Sequence, residues 1–190
     1  MLNEVVDRFN AAAKELQATE FRHPRSPDEW QRMAQRPRQR DYTKLFNAVV
    51  PLIEAFATAN SSERARVAPK LNPDGLGILR TFASSMPVLA VRQESPVLIT
   101  QGLTAVAVLG GIDDTRDLTF YLCTLHHSAM KLGVDTRKVF GDVASLASSV
   151  HLQQEMRGFP SRPPKDKDLV AFRFREVLTD DGFDLVQDSW

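Results

Sequence analysis

Apolar residues recur at three- and four-residue intervals through most of the chain, and the places where that rhythm stops predict helix ends. Leu2, Val5, Val6, Phe9, Ala12, Ala13 and Leu16 form one stripe, with Glu4, Asp7, Arg8, Lys14 and Glu15 off it, which predicts an amphipathic helix over 2–20. Within 22–40, Ser26, Pro27 and Glu29 have the spacing of a capping box with proline at the first helical position. That predicts a short helix anchored by Trp30, Met33 and Ala34 and closed by Pro37. Over 42–60 the apolar positions are Leu45, Phe46, Val49, Val50, Leu52, Ile53 and Phe56, with Pro51 among them, so a kink or break is expected there. Further helices are expected over 61–72, opening on a serine cap, over 74–93 with Pro87 inside, and over 95–111 with Ser95 as cap and Pro96 first in the helix. The helices expected over 114–133 and 135–150 both begin Asp-Thr-Arg, making Asp114 and Asp135 caps and Gly111 and Gly133 the closures of the helices before them. Links this short make successive helices antiparallel neighbours.

After residue 156 the rhythm changes. The stretch "RGFPSRPPKDKD" (157–168) has three prolines and no apolar period, and reads as a linker. Phe172 and Phe174 then alternate with Arg173 and Arg175, and Asp181-Gly182 carries a hairpin signal, with Phe183, Leu185 and Val186 on the second arm. A two-residue turn at 181–182 would set Val177 opposite Val186 and Arg175 opposite Asp188. The expected organisation is an all-α domain over 1–156, the linker, and a β-hairpin appendage over 169–190 docked on the body or on a second copy.

Three segments share a plan of apolar helix, polar turn with Ser or Asp, and second apolar helix: "VVPLIEAFATANSSERARVAPKL", "SMPVLAVRQESPVLITQGLTAVAVL" and "TAVAVLGGIDDTRDLTFYLCTL". In this the chain resembles the HEAT and armadillo α-solenoids, whose units carry a proline in the first helix, here Pro51 and Pro87, and an Asp then Arg near the start of the second, here Asp114 and Arg116. The likeness spans 42–150 and departs in the second unit, where Gln93-Glu94-Ser95-Pro96 replaces the Asp and Arg. It implies an all-α helical-repeat right-handed superhelix, or an irregular bundle, with a curved face that binds another macromolecule.

Composition narrows function by exclusion. Lys plus Arg and Asp plus Glu both number 24, so no net field draws the chain to polyanions or to an anionic membrane. The apolar stretch 97–112 is interrupted by Thr100, Gln101 and Thr104 and falls short of the roughly 18 residues a bilayer crossing needs, so it reads as a buried helix. Glu4 and Asp7 argue against a signal peptide. The single Cys123 has no partner for an intrachain disulfide, which fits a reducing, cytoplasmic setting. No metal or cofactor is expected.

The densest chemistry lies in "FYLCTLHHSAMKLG" (120–133). On a helical wheel, Leu118, Tyr121, Leu122, Leu125, Ala129 and Leu132 make one side, and Phe120, Cys123, His127 and Met130 a second. This predicts packing on both sides, with His127 buried and His126 nearer the boundary. One alternative is a thiol or metal-dependent enzyme, since Cys123 and His127 have the i, i+4 spacing of a nucleophile and base with His126 beside them. Against it, His-Glu-x-x-His is absent, and adjacent histidines diverge by about 100° on a helix.

A second alternative is nucleic-acid binding through Arg22, Arg25, Arg32, Arg36, Arg38 and Arg40, with Trp30 able to stack on a base. The glycines of "GLGIL" and "LGGIDD" lack the strand and the Gly-Lys-Ser/Thr of a phosphate loop, and Asp113-Asp114 reads as a helix cap. The leading expectation is a non-enzymatic interaction module whose partner is another protein or a second copy. Phe172, Phe174, Phe183, Arg173 and Arg175 are its candidate binding residues.

Overall fold

The computed structural model describes residues 2–19, 42–110 and 115–161, and the backbone alone of 174–179 and 182–187. Among these residues eight α-helices follow one another: α1 (Leu2–Thr19), α2 (Tyr42–Thr58), α3 (Ser61–Val67), α4 (Pro73–Arg92), α5 (Pro96–Leu109), α6 (Thr115–Lys131), α7 (Thr136–Ala144) and α8 (Val150–Gly158). Single 3-10 turns follow α3 at Ala68–Lys70 and α8 at Phe159–Ser161.

Side-chain caps set four of the described helix starts. Asn72 accepts from the Gly75 amide at 2.7 Å ahead of Pro73, Asp135 from Lys138 at 3.1 Å, and Ser149 from Leu152 at 3.0 Å. At α3 the cap is Asn60 rather than a serine: the Glu63 amide donates to Asn60 Oδ1 at 3.0 Å, and Glu63 Oε2 accepts from the Asn60 amide at 3.2 Å. Ser95 stands at the start of α5 without a side-chain cap bond. Gly133 closes α6 at φ +67°, with the Val134 amide donating to the Ala129 carbonyl at 2.9 Å.

Neither internal proline breaks its helix. A helix-interior proline costs about 3 kcal/mol. The side chains flanking Pro51 and Pro87, including Val49, Leu52, Ile53, Met86, Leu89 and Ala90, are buried, and each large one returns about 1.5–3 kcal/mol. Burial outweighs the lost hydrogen bond. The single helix expected over 135–150 is instead α7 followed by a turn, and α8 begins only at Val150. Ser145 Oγ donates to the Asp142 carbonyl at 2.7 Å and Ser149 caps the next helix, so serines offering local backbone bonds interrupt the run.

A hairpin of α4 and α5 lies at the centre. α4 packs on α1, α2, α5 and α6, and α5 on α2, α4, α6 and α7. Every residue from Gly102 to Leu109 is buried, as a helix apolar on all sides requires. At Gly102 the helices cross closely: a Cβ there would stand 2.7 Å from Leu125 Cδ2 and 3.0 Å from Met86 Cβ. Between α4 and α5 the chain turns through Glu94 at φ +49°, and the Ser95 amide donates to the Ala90 carbonyl at 2.9 Å. α1 is stitched to the turn before α4 by Asn10, whose Nδ2 donates to the Lys70 carbonyl at 2.9 Å and whose Oδ1 accepts from the Asn72 amide at 3.2 Å. Gly75 of "GLGIL" lies against Phe9 and Asn10, so that glycine serves helix packing.

The expected fold class needs correction. From residue 2 to 161 the described chain is all-helical and contains no strand, so a C-terminal β-hairpin is not an element of this fold. Beyond it, the backbone register pairs Thr179 with Gly182, Val177 with Asp184 and Arg175 with Val186. Gly182 therefore leaves the turn, and the expected Val177–Val186 and Arg175–Asp188 pairs are not made, since each partner stands two residues earlier, at Asp184 and Val186. Nor do the helices divide into like units, as a solenoid requires: α3 has 7 residues and α7 has 9, against 20 in α4. Of the linker expected over 157–168, the first residues belong to the helical body, since α8 runs to Gly158 and Phe159 is buried.

Candidate functional site

α6 carries the chemistry of the helical body, and its wheel explains where each group goes. Leu118, Tyr121, Leu122, Leu125 and Ala129 share one arc and are buried, with Leu125 seated against Gly102 of α5. His126 lies at the edge of that arc, only 7% exposed. Its imidazole meets Phe140 of α7 edge-on, with ring centroids 5.8 Å apart and planes at 80°, and Phe159 after α8 at 5.9 Å and 66°. The two phenyl rings stack on each other at 6.0 Å and 15°. Three elements thus converge on one small aromatic cluster.

Burial, reinforced by the neighbouring His127, holds the His126 imidazole below the ordinary histidine value of 6.5. It is therefore neutral at pH 7 and acts as a packing ring. Cys123 is buried, 8% exposed, whereas His127 is exposed. The nucleophile and base spacing read from the sequence is thereby split between interior and solvent. A thiol enclosed by apolar groups is a poor nucleophile.

The two histidines exchange their expected places. The side of the wheel holding Phe120, His127 and Met130 is largely uncovered: Phe120 is half-buried, and His127 and Met130 are exposed. The rings that do cover α6 on its other flank, Phe140 and Phe159, were missed. Phe159 stands in a proline-rich stretch, yet Leu152, Met156 and Phe159 have the spacing i, i+4, i+7 and continue the apolar face of α8.

Among the described residues no three or more His, Cys, Asp or Glu side chains gather in a way that could hold a metal ion. Phe172 and Arg173, and the whole basic set Arg22, Arg25, Trp30, Arg32, Arg36, Arg38 and Arg40, lie outside the described residues, as do Gly111, Asp113 and Asp114. Phe174, Arg175 and Phe183 belong to the segments described by backbone alone.

Val97 and Met130 are each 62% exposed. The short connection makes α5 and α6 antiparallel neighbours, and the contact of Gly102 with Leu125 sets their register. No helix among the described residues is long and apolar enough to cross a membrane. Compared with known proteins, the chain matches no family model, no curated protein and no solved structure.

Proposed function

We propose that the chain is a non-enzymatic helical module that binds protein, with a second copy of itself as first partner. The observation that carries this reading is the use made of the reactive-looking groups on α6: Cys123 is enclosed and His126 is packed between rings, leaving His127 alone at the surface. Covalent catalysis needs a nucleophile and a base within hydrogen-bond reach, with donors for the developing charge. Here the thiol and the exposed imidazole face different environments. Binding is supported by Val97 and Met130, large apolar side chains left exposed on α5 and α6, methionine being a favoured interface residue. A formal net charge of zero removes net repulsion between two copies. The lone thiol supports a cytoplasmic setting for the module.

Sedimentation equilibrium of the full chain over a range of concentrations tests the proposal, with the double variant Val97→Glu, Met130→Glu as comparison. Concentration-dependent self-association is expected for the parent and its loss in the variant, with helical circular dichroism unchanged in both. A parent chain that stays monomeric throughout overturns the second copy as partner. Rapid alkylation of Cys123 in the folded protein at neutral pH overturns the non-enzymatic reading.

A further inference from the structure

We propose that the His126, Phe140 and Phe159 cluster is an acid-released clasp that holds α8 and the turn after it, residues 150–161, against the bundle. The segment is lightly anchored. α8 has nine residues, too few to persist as a helix without tertiary contacts. Besides its packing on α7, its fastenings are Leu152 seated against Gly110, buried Met156, the Gln153 Nε2 donation to the Ala147 carbonyl at 2.8 Å, and Phe159. Phe159 is the last of these along the chain and meets two rings, one of which titrates.

A charged imidazole in that position gains little from its surroundings. On its own helix the nearby ionisable groups are the buried Cys123 and the exposed His127 and Lys131, the last two cationic when charged. α7 carries Arg137, Lys138 and Asp142, all exposed, with Asp142 engaged by Lys138 at 2.8 Å. α8 carries His151, Glu155 and Arg157, all exposed, and the 3-10 turn after it carries none. Of the other helices against α6, α5 has no ionisable side chain and α4 has Asp74, Arg80 and Arg92. Arg64 of α3 reaches the Ser145 carbonyl after α7 through a long 3.4 Å contact. Among all these described groups it is His127 that acts on the imidazole, and it disfavours the charge.

The direction follows from linkage. A histidine whose folded value lies below 6.5 binds its proton more readily when the clasp is open, so closure is fully supported above that pH and weakens as pH falls through it. Opening would lift Leu152, Met156 and Phe159 off the bundle and present an apolar strip that is covered at neutral pH. The titrating ring and the strip it releases would make this corner an acid-sensing surface.

Two measurements on the full chain test the clasp. The first is an NMR titration of the His126 ring. The second is amide hydrogen exchange of 150–161, corrected for intrinsic exchange, at about pH 7.5 and about pH 5. His126 is expected to titrate below 6.5, and protection of 150–161 to fall by up to about tenfold for each pH unit separating its measured value from 6.5, while α4 and α5 keep theirs. His126→Leu should hold 150–161 equally well at both pH values. His127→Ala should move the His126 titration upward and shrink the acid loss. The proposal fails if His126 titrates at or above 6.5, if 150–161 keeps its protection in acid, or if His126→Leu loses protection as the parent does. Should the leucine variant not fold, the parent titration and the His127→Ala shift decide the matter alone.

Discussion

The α4–α5 hairpin and the α7–α8 pair both border α6, but they are held to the molecule in different ways. The hairpin is held by aliphatic packing and by a backbone crossing at Gly102. Its buried hydroxyls bond within their own helices, Ser85 Oγ to the Thr81 carbonyl at 2.7 Å and Thr104 Oγ1 to the Thr100 carbonyl at 2.8 Å. The α7–α8 pair consists of two nine-residue helices joined to α6 through a ring cluster containing a titratable group. Hydrophobic burial is indifferent to pH, whereas a buried neutral histidine is not. One molecule thus combines a centre built for constancy with a margin able to respond.

The largest effect is expected at the centre. Phe82 is fully buried and meets Phe46 edge-on at 5.4 Å, and Phe82→Ala should lower global stability by about 3–5 kcal/mol, read as a shift of the whole urea transition. A loss confined to one part of the transition would mean that the centre is not a single cooperative unit. At the margin, Phe159→Ala removes two ring contacts worth about 0.5–1.5 kcal/mol each. Its signature should be lost exchange protection in 150–161 with α4 and α5 unchanged. Protection lost everywhere would erase the distinction between the two regions. The smallest effect is a gain: Glu94 sits at φ +49°, and Glu94→Gly should raise stability by about 0.5–1 kcal/mol. That gain should appear as a higher Tm, the same in mild acid as at neutral pH, because the turn belongs to the centre.

Much of the helical plan was legible because its determinants are local. Asp135 as a cap and Gly133 as a closure act within one turn, so sequence neighbours suffice to place them. The boundary at α3 shows the limit of that reasoning: Asn60 and Ser61 are both credible caps, and the reciprocal bond with Glu63 selects Asn60. Pro51 and Pro87 looked disruptive because the burial that overrides them is contributed by other helices. The exchange of His126 and His127 has the same origin. A wheel gives the angle of each side chain but not which arc a neighbour will cover, and here the covering ring of Phe159 came from a stretch whose prolines concealed it. The hairpin is corrected by a described body that is helical from 2 to 161, and the pairs expected across its arms missed by two residues, which no pattern of arms reveals until the turn is fixed.

Asn10 binds both the Lys70 carbonyl and the Asn72 amide, the first of these across 60 positions of chain. During synthesis α1 precedes its bonding partners at Lys70 and Asn72, and the α4 surface that Phe9 covers, by about sixty residues. Until they emerge its apolar stripe has only α2 and α3 to pack on, and a chain interrupted before residue 72 would leave the part that α4 covers open to water.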